Sequence, residues 1–164
     1  MRPLLAAAAF AASLMSTGLA AAQPASVSVS IGRKLERLGE ETYGRRDVAE
    51  LAADLKRSVE RELARTGALP GARVELVLVD ARPNHPTFKQ LGDRPGLAYQ
   101  SVGLGGATIE GRIIAADGAE TPVAYRWYET EIWQSAYGAT WSDAEWTFDR
   151  FSRRLASERT IARR

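Results

Sequence analysis

One apolar stripe at helical spacing constrains the fold of this chain more than any other feature. Apolar side chains recur every three or four residues from Val48 to Leu63, so they share one face of a helix. Asp47 and Glu50 have the spacing of a capping box, which predicts that the helix begins at Asp47. Gly67 follows the last apolar residue and predicts the helix end. Such a helix must bury its stripe against a second layer of structure.

Four segments alternate apolar and polar side chains, the pattern of a half-buried β-strand. They cover residues 26–31, 72–81, 107–113 and 123–128. The second segment is apolar on both faces, which favours a central position in a sheet. The Asp117-Gly118 pair between the third and fourth segments predicts a hairpin turn.

A second amphipathic helix is predicted near the end of the chain. Ser142 and Glu145 have capping-box spacing, and Trp141 and Trp146 occupy the positions of a hydrophobic staple around them. The predicted order is strand, helix, strand, strand, strand, helix. This order favours an α+β two-layer sandwich, in which two helices cover one face of a mostly antiparallel four-stranded sheet.

Residues 1–22 have the features of a secretory signal peptide. Arg2 supplies a positive charge, residues 4–19 are apolar and rich in alanine, and the segment ends in small residues at Ala22. We expect cleavage after Ala22, which removes 22 of the 164 residues and leaves 142. The alternative is that the segment stays attached as an N-terminal anchor.

After cleavage we expect one domain over residues 23–158 and a basic C-terminal tail over residues 159–164. A domain of this size buries enough surface to fold without a metal or a disulfide. The tail carries a local excess of positive charge and is predicted to be a frayed terminus.

Composition narrows the compartment and the partners. The absence of cysteine excludes a disulfide scaffold, a thiol enzyme and a cysteine-bound metal. Together with the leader, it indicates a periplasmic or secreted protein. The net charge is only +2 and basic residues are interleaved with acids, so no nucleic-acid partner is expected. No stretch after the leader has the length and hydropathy of a membrane span, so none is expected after cleavage.

The familiar catalytic patterns are missing, and we expect neither a cofactor nor a metal. His85 is the sole histidine, so a two-histidine metal site cannot form. Ser101 lacks the first glycine of a nucleophile elbow. The glycines in residues 103–106 lack the third glycine of a dinucleotide fingerprint and precede a strand. A pair of carboxylates from anywhere in the chain stays open as an alternative, with Glu129 and Glu131 as a weak candidate.

Aromatic residues are concentrated late in the chain. Of the twelve after the leader, nine lie between Tyr125 and Phe151. Periodicity and the staple explain six of them, and the remaining three have no obvious inward direction. Aromatic side chains beside arginine are typical of recognition surfaces. The alternative is that these rings pack under the long connection formed by residues 80–102, which loop statistics mark as functional or disordered.

The candidate binding surface joins this connection to the unexplained aromatics. Its residues are Asp80, Arg82, Asn84, His85, Arg126, Tyr128, Trp133 and Tyr137.

Three stretches carry a resemblance to small exported envelope proteins of proteobacteria. They are residues 80–88 (DARPNHPTF), residues 105–107 (GGA) at the start of the predicted hairpin, and residues 141–144 (WSDA) before the last helix. The resemblance covers about residues 26–156. It implies an exported single domain and attaches no activity to it.

These observations favour a non-catalytic periplasmic binding or accessory domain that recognises an envelope protein or a cell-wall component such as a glycan. One alternative is a small carboxylate-dependent hydrolase, which requires two acids that converge in a cleft. Another is a structural envelope protein, which predicts an oligomer and no small ligand.

Overall fold

The computed structural model describes residues 25–157; the predicted signal peptide and basic tail lie outside the described residues. Ten elements follow one another along the chain. They are β1 (Ser26–Ile31), α1 (Arg33–Leu38), a π-helical segment (Gly39–Tyr43), α2 (Arg45–Thr66), β2 (Arg73–Arg82), α3 (Phe88–Asp93), β3 (Gly106–Ile114), β4 (Glu120–Tyr128), α4 (Ile132–Ser135) and α5 (Ser142–Ser157).

The four strands form one mixed sheet in the order β1-β2-β3-β4. β1 and β2 are parallel, while β3 is antiparallel to both of its neighbours. The parallel pair arises because α1 and α2 carry the chain back across one face of the sheet, as a parallel connection requires. The α+β class and the mostly antiparallel sheet with helices on one side are confirmed. Over residues 25–157, no helix has both the length and the apolar character needed to cross a membrane.

The core lies between the sheet and the two long helices. The predicted stripe of α2 is buried, and Leu55 and Val59 at its centre have no exposed surface. α5 adds Phe148 and Phe151, and the ring of Phe151 lies 6.0 Å from that of Tyr125 on β4. α2 covers the β1 side of the sheet and α5 covers β3 and β4. Burial of one such side chain contributes about 1.5–3 kcal/mol.

Of the two ends of α2, only the C-terminal end agrees with the prediction. Gly67 has the left-handed conformation (φ 64°), and its N–H donates to the Leu63 carbonyl, as predicted. The helix begins at Arg45 rather than Asp47, after Gly44 with φ 106°, and no side chain caps it. The predicted capping box is therefore wrong, because the helical segments before Gly44 lead directly into α2 and leave Asp47 inside the first turn.

The start of α5 also differs from its predicted capping box. The Ser142 hydroxyl accepts from the N–H of Ala139 at 2.7 Å, and the Glu145 N–H donates to the Trp141 carbonyl at 2.9 Å. The two tryptophans have different surroundings. Trp141 packs edge-on against Tyr43 at 5.6 Å, whereas Trp146 is 57% exposed.

The predicted long connection is more ordered than its proline content suggests. β2 continues to Arg82, and α3 occupies the middle of the connection. α3 has a complete capping box, in which Thr87 accepts from the Gln90 N–H and the Gln90 side chain accepts from the Thr87 N–H. Six residues of helix with their own cap explain how a connection of this length stays compact.

Leu55→Ala tests the position of the core. Leu55 is fully buried, so the variant loses apolar burial and leaves a cavity. We expect the free energy of unfolding to fall by about 2–5 kcal/mol in urea denaturation. Lys56→Ala, at an exposed neighbouring position of the same helix, is the control and should change stability by about 0.5 kcal/mol or less. Equal losses in both variants would contradict the assignment.

Candidate functional site

The eight residues of the predicted surface fall into three groups. Asp80, Arg82, Arg126 and Tyr128 cluster on the sheet face opposite the long helices. Asn84 and His85 are buried beneath the connection after β2. Trp133 and Tyr137 line a pocket beyond the end of β4. The predicted surface is therefore not continuous.

Asp80 and Tyr128 form the centre of the sheet-face cluster. A β-bulge after Leu78 turns Asp80 to the open face of the sheet. The Tyr128 hydroxyl donates to Asp80 Oδ2 at 2.8 Å and also contacts the Thr108 hydroxyl at 3.0 Å. At Gly106, opposite Tyr128 on β3, a Cβ atom would lie 2.4 Å from the Trp127 carbonyl oxygen and 2.7 Å from the Tyr128 ring. Gly106 is thus required by this close approach.

Cationic side chains surround this pair. The guanidinium carbons of Arg82 and Arg126 lie 4.8 Å and 5.3 Å from the centre of the Tyr128 ring. Lys34 and Arg82 each approach an Asp80 carboxylate oxygen at 3.6 Å. The Asp80 side chain is only 13% exposed and already has these partners. The cluster is therefore a largely satisfied network that ties β2 to β4.

Burial raises the pKa of Tyr128 above its ordinary value, the Thr108 hydroxyl opposes this, and Asp80 adds to the rise. Burial also raises the pKa of Tyr43, with a further contribution from the negative charge of Asp80. Both phenols are consequently held in the neutral form.

Asn84 is a structural anchor, since only 1% of its surface is exposed. Its amide nitrogen donates to the Ser135 carbonyl at 3.3 Å, and its amide oxygen accepts from the Asp143 N–H at 3.1 Å. Its backbone N–H donates to the Thr140 carbonyl at 2.8 Å. One side chain thereby joins the end of β2 to α4 and to the start of α5. Gly105 permits this arrangement, because a Cβ there would lie 2.5 Å from the Asn84 amide oxygen.

His85 fixes the second half of the same connection. Its Nδ1 lies 3.0 Å and 3.2 Å from the carbonyl oxygens of Tyr99 and Ser101. Carbonyls only accept, so Nδ1 carries the proton. The ring also stacks on Tyr99 at 5.3 Å. With 6% exposure, His85 holds the loop and does not contribute to an outer surface.

The third group contains the exposed aromatic pocket. A cavity of about 340 Å³ lies between α4 and the start of α5. Its lining residues are Glu129, Trp133, Gln134, Tyr137, Gly138, Ser142, Asp143 and Trp146. Three of them carry aromatic rings that are 59%, 87% and 57% exposed, namely Trp133, Tyr137 and Trp146. Exposed rings at one concavity are the usual composition of a binding site.

Trp146 lines the pocket but is absent from the predicted surface, because the staple spacing already explained it. The apolar stripe of α5 runs through Ala144, Phe148 and Phe151, and position 146 lies off that stripe. This offset was the available signal. In the structure the guanidinium of Arg150 lies 5.9 Å from the Trp146 ring and 4.3 Å from the Trp127 ring.

Two carboxylates line the pocket, and both accept hydrogen bonds. Asp143 Oδ2 accepts from the Ser135 hydroxyl at 2.7 Å and from the Gly105 N–H at 3.2 Å. Glu129 Oε1 accepts from the backbone N–H groups of Thr130 and Glu131 at 2.8 Å and 3.1 Å. Glu129, a weak candidate from sequence, thus lines the pocket, and its partner there is Asp143 rather than Glu131.

Within residues 25–157, no three His, Asp or Glu side chains come together in a group that could hold a metal ion. In comparisons with known proteins, no family model matches the chain and no curated protein matches it.

Asn84→Ala tests the anchor. The substitution removes the amide and leaves the Ser135 carbonyl and the Asp143 N–H without this partner in a buried environment. We expect the free energy of unfolding to fall by about 1–3 kcal/mol in urea denaturation. Gln100→Ala, exposed on the same connection, is the control. An unchanged stability in Asn84→Ala would show that the link is not used.

Alkaline pH tests the environment of Tyr128. Because its pKa is raised in the folded state, the unfolded chain loses this proton first as pH rises above about 10. The stabilising contribution is present below that pH and is lost above it. Urea denaturation at increasing pH should therefore show a steeper loss for wild type than for Tyr128→Phe. Identical pH dependences would contradict a raised pKa.

Proposed function

We propose that this protein is a non-catalytic periplasmic binding domain that recognises a cell-wall glycan through the aromatic pocket. The observation that carries the proposal is the convergence of three exposed rings, Trp133, Tyr137 and Trp146, on one cavity. Large exposed apolar rings are costly in water. A ligand that covers them recovers that free energy on binding.

The chemistry of the lining favours a carbohydrate. The C–H face of a sugar ring is apolar and packs on an aromatic face, while its hydroxyl groups need hydrogen-bond partners around the rim. Glu129 supplies an acceptor, the Gln134 amide supplies both a donor and acceptors, and the pocket rim also includes the Ser142 hydroxyl. Aromatic walls with a few polar groups between them are typical of small-ligand sites.

The pocket is held in shape before any ligand arrives. Its floor residue Asp143 is 7% exposed and is tied to Gly105 and Ser135. Gly138 packs against Ser142, where a Cβ atom would lie 2.6 Å from the serine Cβ. A preformed site loses less conformational entropy on binding, which supports recognition by a small domain.

The predicted leader supports the same proposal, because it implies a compartment that contains the cell wall. A chain exported to the periplasm meets the cell wall there, and an aromatic pocket suits an uncharged sugar surface. An envelope protein with an apolar tip is the other partner class that such a pocket could accept.

Trp133→Ala and Tyr137→Ala test the pocket directly. Each variant removes a stacking wall, and we expect at least about tenfold weaker binding to purified cell-wall sacculi in a pelleting assay. Thermal unfolding should be nearly unchanged, since both rings are more than half exposed.

Phe88→Ala is the matched control, because Phe88 is 88% exposed and is not among the residues that line the pocket. It should bind sacculi as wild type does. Absence of sacculus binding by wild type would overturn the glycan proposal. Wild-type binding by both Trp133→Ala and Tyr137→Ala would overturn the assignment to this pocket. Crosslinking from residue 133 to an envelope protein would favour the other partner class.

A carboxylate-dependent hydrolase is the second candidate, and one observation favours it: Glu129 and Asp143 line the same cavity. Glycoside hydrolysis requires one protonated carboxyl group as general acid. Both carboxylates already accept hydrogen bonds from the protein itself, which weighs against their use in catalysis. Release of soluble fragments from sacculi by wild type, with loss of release in Glu129→Gln, would establish hydrolysis in place of simple binding.

A further inference from the structure

The sheet has one open edge with unusual composition. β1 is an edge strand, hydrogen-bonded to β2 on one side only among the strands of the described chain. Its six residues alternate serine with valine or isoleucine and include neither charge nor proline. Edge strands usually carry charge, proline or a bulge that prevents pairing with another chain. β4, the opposite edge, has such protection in Pro122 and Arg126.

The direction of the backbone groups of β1 follows from two hydrogen bonds. The N–H of Ser26 donates to the Ala72 carbonyl and that of Gly32 to the Leu78 carbonyl, both at 2.9 Å. In a parallel pair, backbone groups of alternate residues point to the same neighbour. The even-numbered residues therefore pair with β2. The N–H and C=O groups of Val27, Val29 and Ile31 point outward from the sheet.

We propose that β1 pairs in antiparallel fashion with β1 of a second copy of this chain, so that two sheets become one continuous eight-stranded sheet. A two-fold axis at Val29 sets Val29 opposite its own copy and Val27 opposite Ile31. The same register sets Ser28 opposite Ser30. Apolar residues then meet on the face of the sheet that the helices cover, and serine hydroxyl groups meet on the open face. The strand is therefore complementary to its own copy on both faces.

The apolar side of this edge is incompletely covered in one copy. Val27 is buried, whereas Val29 and Ile31 pack against the core and are still partly exposed. A neighbouring strand about 4.8 Å away would cover them. Since β1 carries no charge, the pairing sets no like charges against each other.

The flank of α2 above this edge is compatible with a second copy. α5 contacts the other flank of α2, where Ser58 donates to Asp149 at 2.8 Å. Helical geometry assigns Ala49, Ala53, Lys56 and Glu60 to the flank that faces away from α5. Two of these side chains are small, and Lys56 and Glu60 form an ion pair at 3.7 Å. A stable interface buries about 800 Å² per partner, which requires this flank as well as the strand.

A matched pair of double variants tests both the dimer and its register. Ser28→Lys with Ser30→Lys would oppose like charges at two symmetric positions, whereas Ser28→Lys with Ser30→Glu would oppose unlike charges at the same positions. Both remove the same serine hydroxyl bonds to the Val74 and Leu76 carbonyls. Sedimentation equilibrium on the full chain should give dimerisation constants that differ by about tenfold or more, with the like-charge variant weaker. Equal constants would overturn this register.

Val29→Pro provides an independent test. It removes an outward N–H and no bond to β2, so we expect a monomer with little change in thermal unfolding. Ser28→Pro, its neighbour, removes a bond to β2 and should lower the unfolding temperature. A wild-type protein that stays monomeric at tens of micromolar, or a folded Val29→Pro protein that stays dimeric, would overturn the proposal.

Discussion

The buried hydrogen bond that the Asp143 N–H donates to the Asn84 amide oxygen supports the rest of the candidate site. Asn84 lies two residues after β2, and Asp143 lies in the first turn of α5, so one amide joins the sheet to the last helix. The Asp143 carboxylate continues the link to Ser135 on α4 and to Gly105 before β3. Unmade bonds of this kind are costly once buried, which is why the three segments keep one arrangement. Asp143, which belongs to this network, also lines the aromatic pocket.

The alternation of β4 separates two surfaces that sequence reasoning joined. Trp127 faces the helices, where Arg150 stacks on it, and Tyr128 faces the open side of the sheet. Glu129, the next residue, returns to the helix side and lines the pocket. Neighbours in sequence therefore serve different faces of the sheet. The Tyr128 cluster stabilises the strands, and the pocket gathers three exposed aromatic rings at one concavity.

The sequence predicts the parts of the structure that depend on local periodicity. The stripe of α2, the hairpin turn and the Gly67 terminus are of this kind, because one residue pattern decides each of them. The site depends on contacts between distant residues, and those contacts are not encoded locally. Nothing near Asn84 indicates that its amide bonds to a residue 59 positions later. Trp146 was misassigned for a related reason, since staple spacing describes a possible contact and the structure turns this ring outward.

The two proposals concern separate parts of the fold and are therefore compatible. The pocket lies beyond the end of β4, whereas the proposed self-pairing edge is β1. In the sheet, β2 and β3 separate β1 from β4. A dimer formed through β1 would leave both pockets open, because the residues that line each pocket all lie after β4 in the chain. A polymeric glycan offers repeated sites, so the two pockets of one rigid dimer could bind the same glycan chain at the same time. The second contact would then be intramolecular, and a weak single pocket could still give firm attachment. This arrangement connects the uncharged edge of β1 to the exposed rings at the far end of the fold.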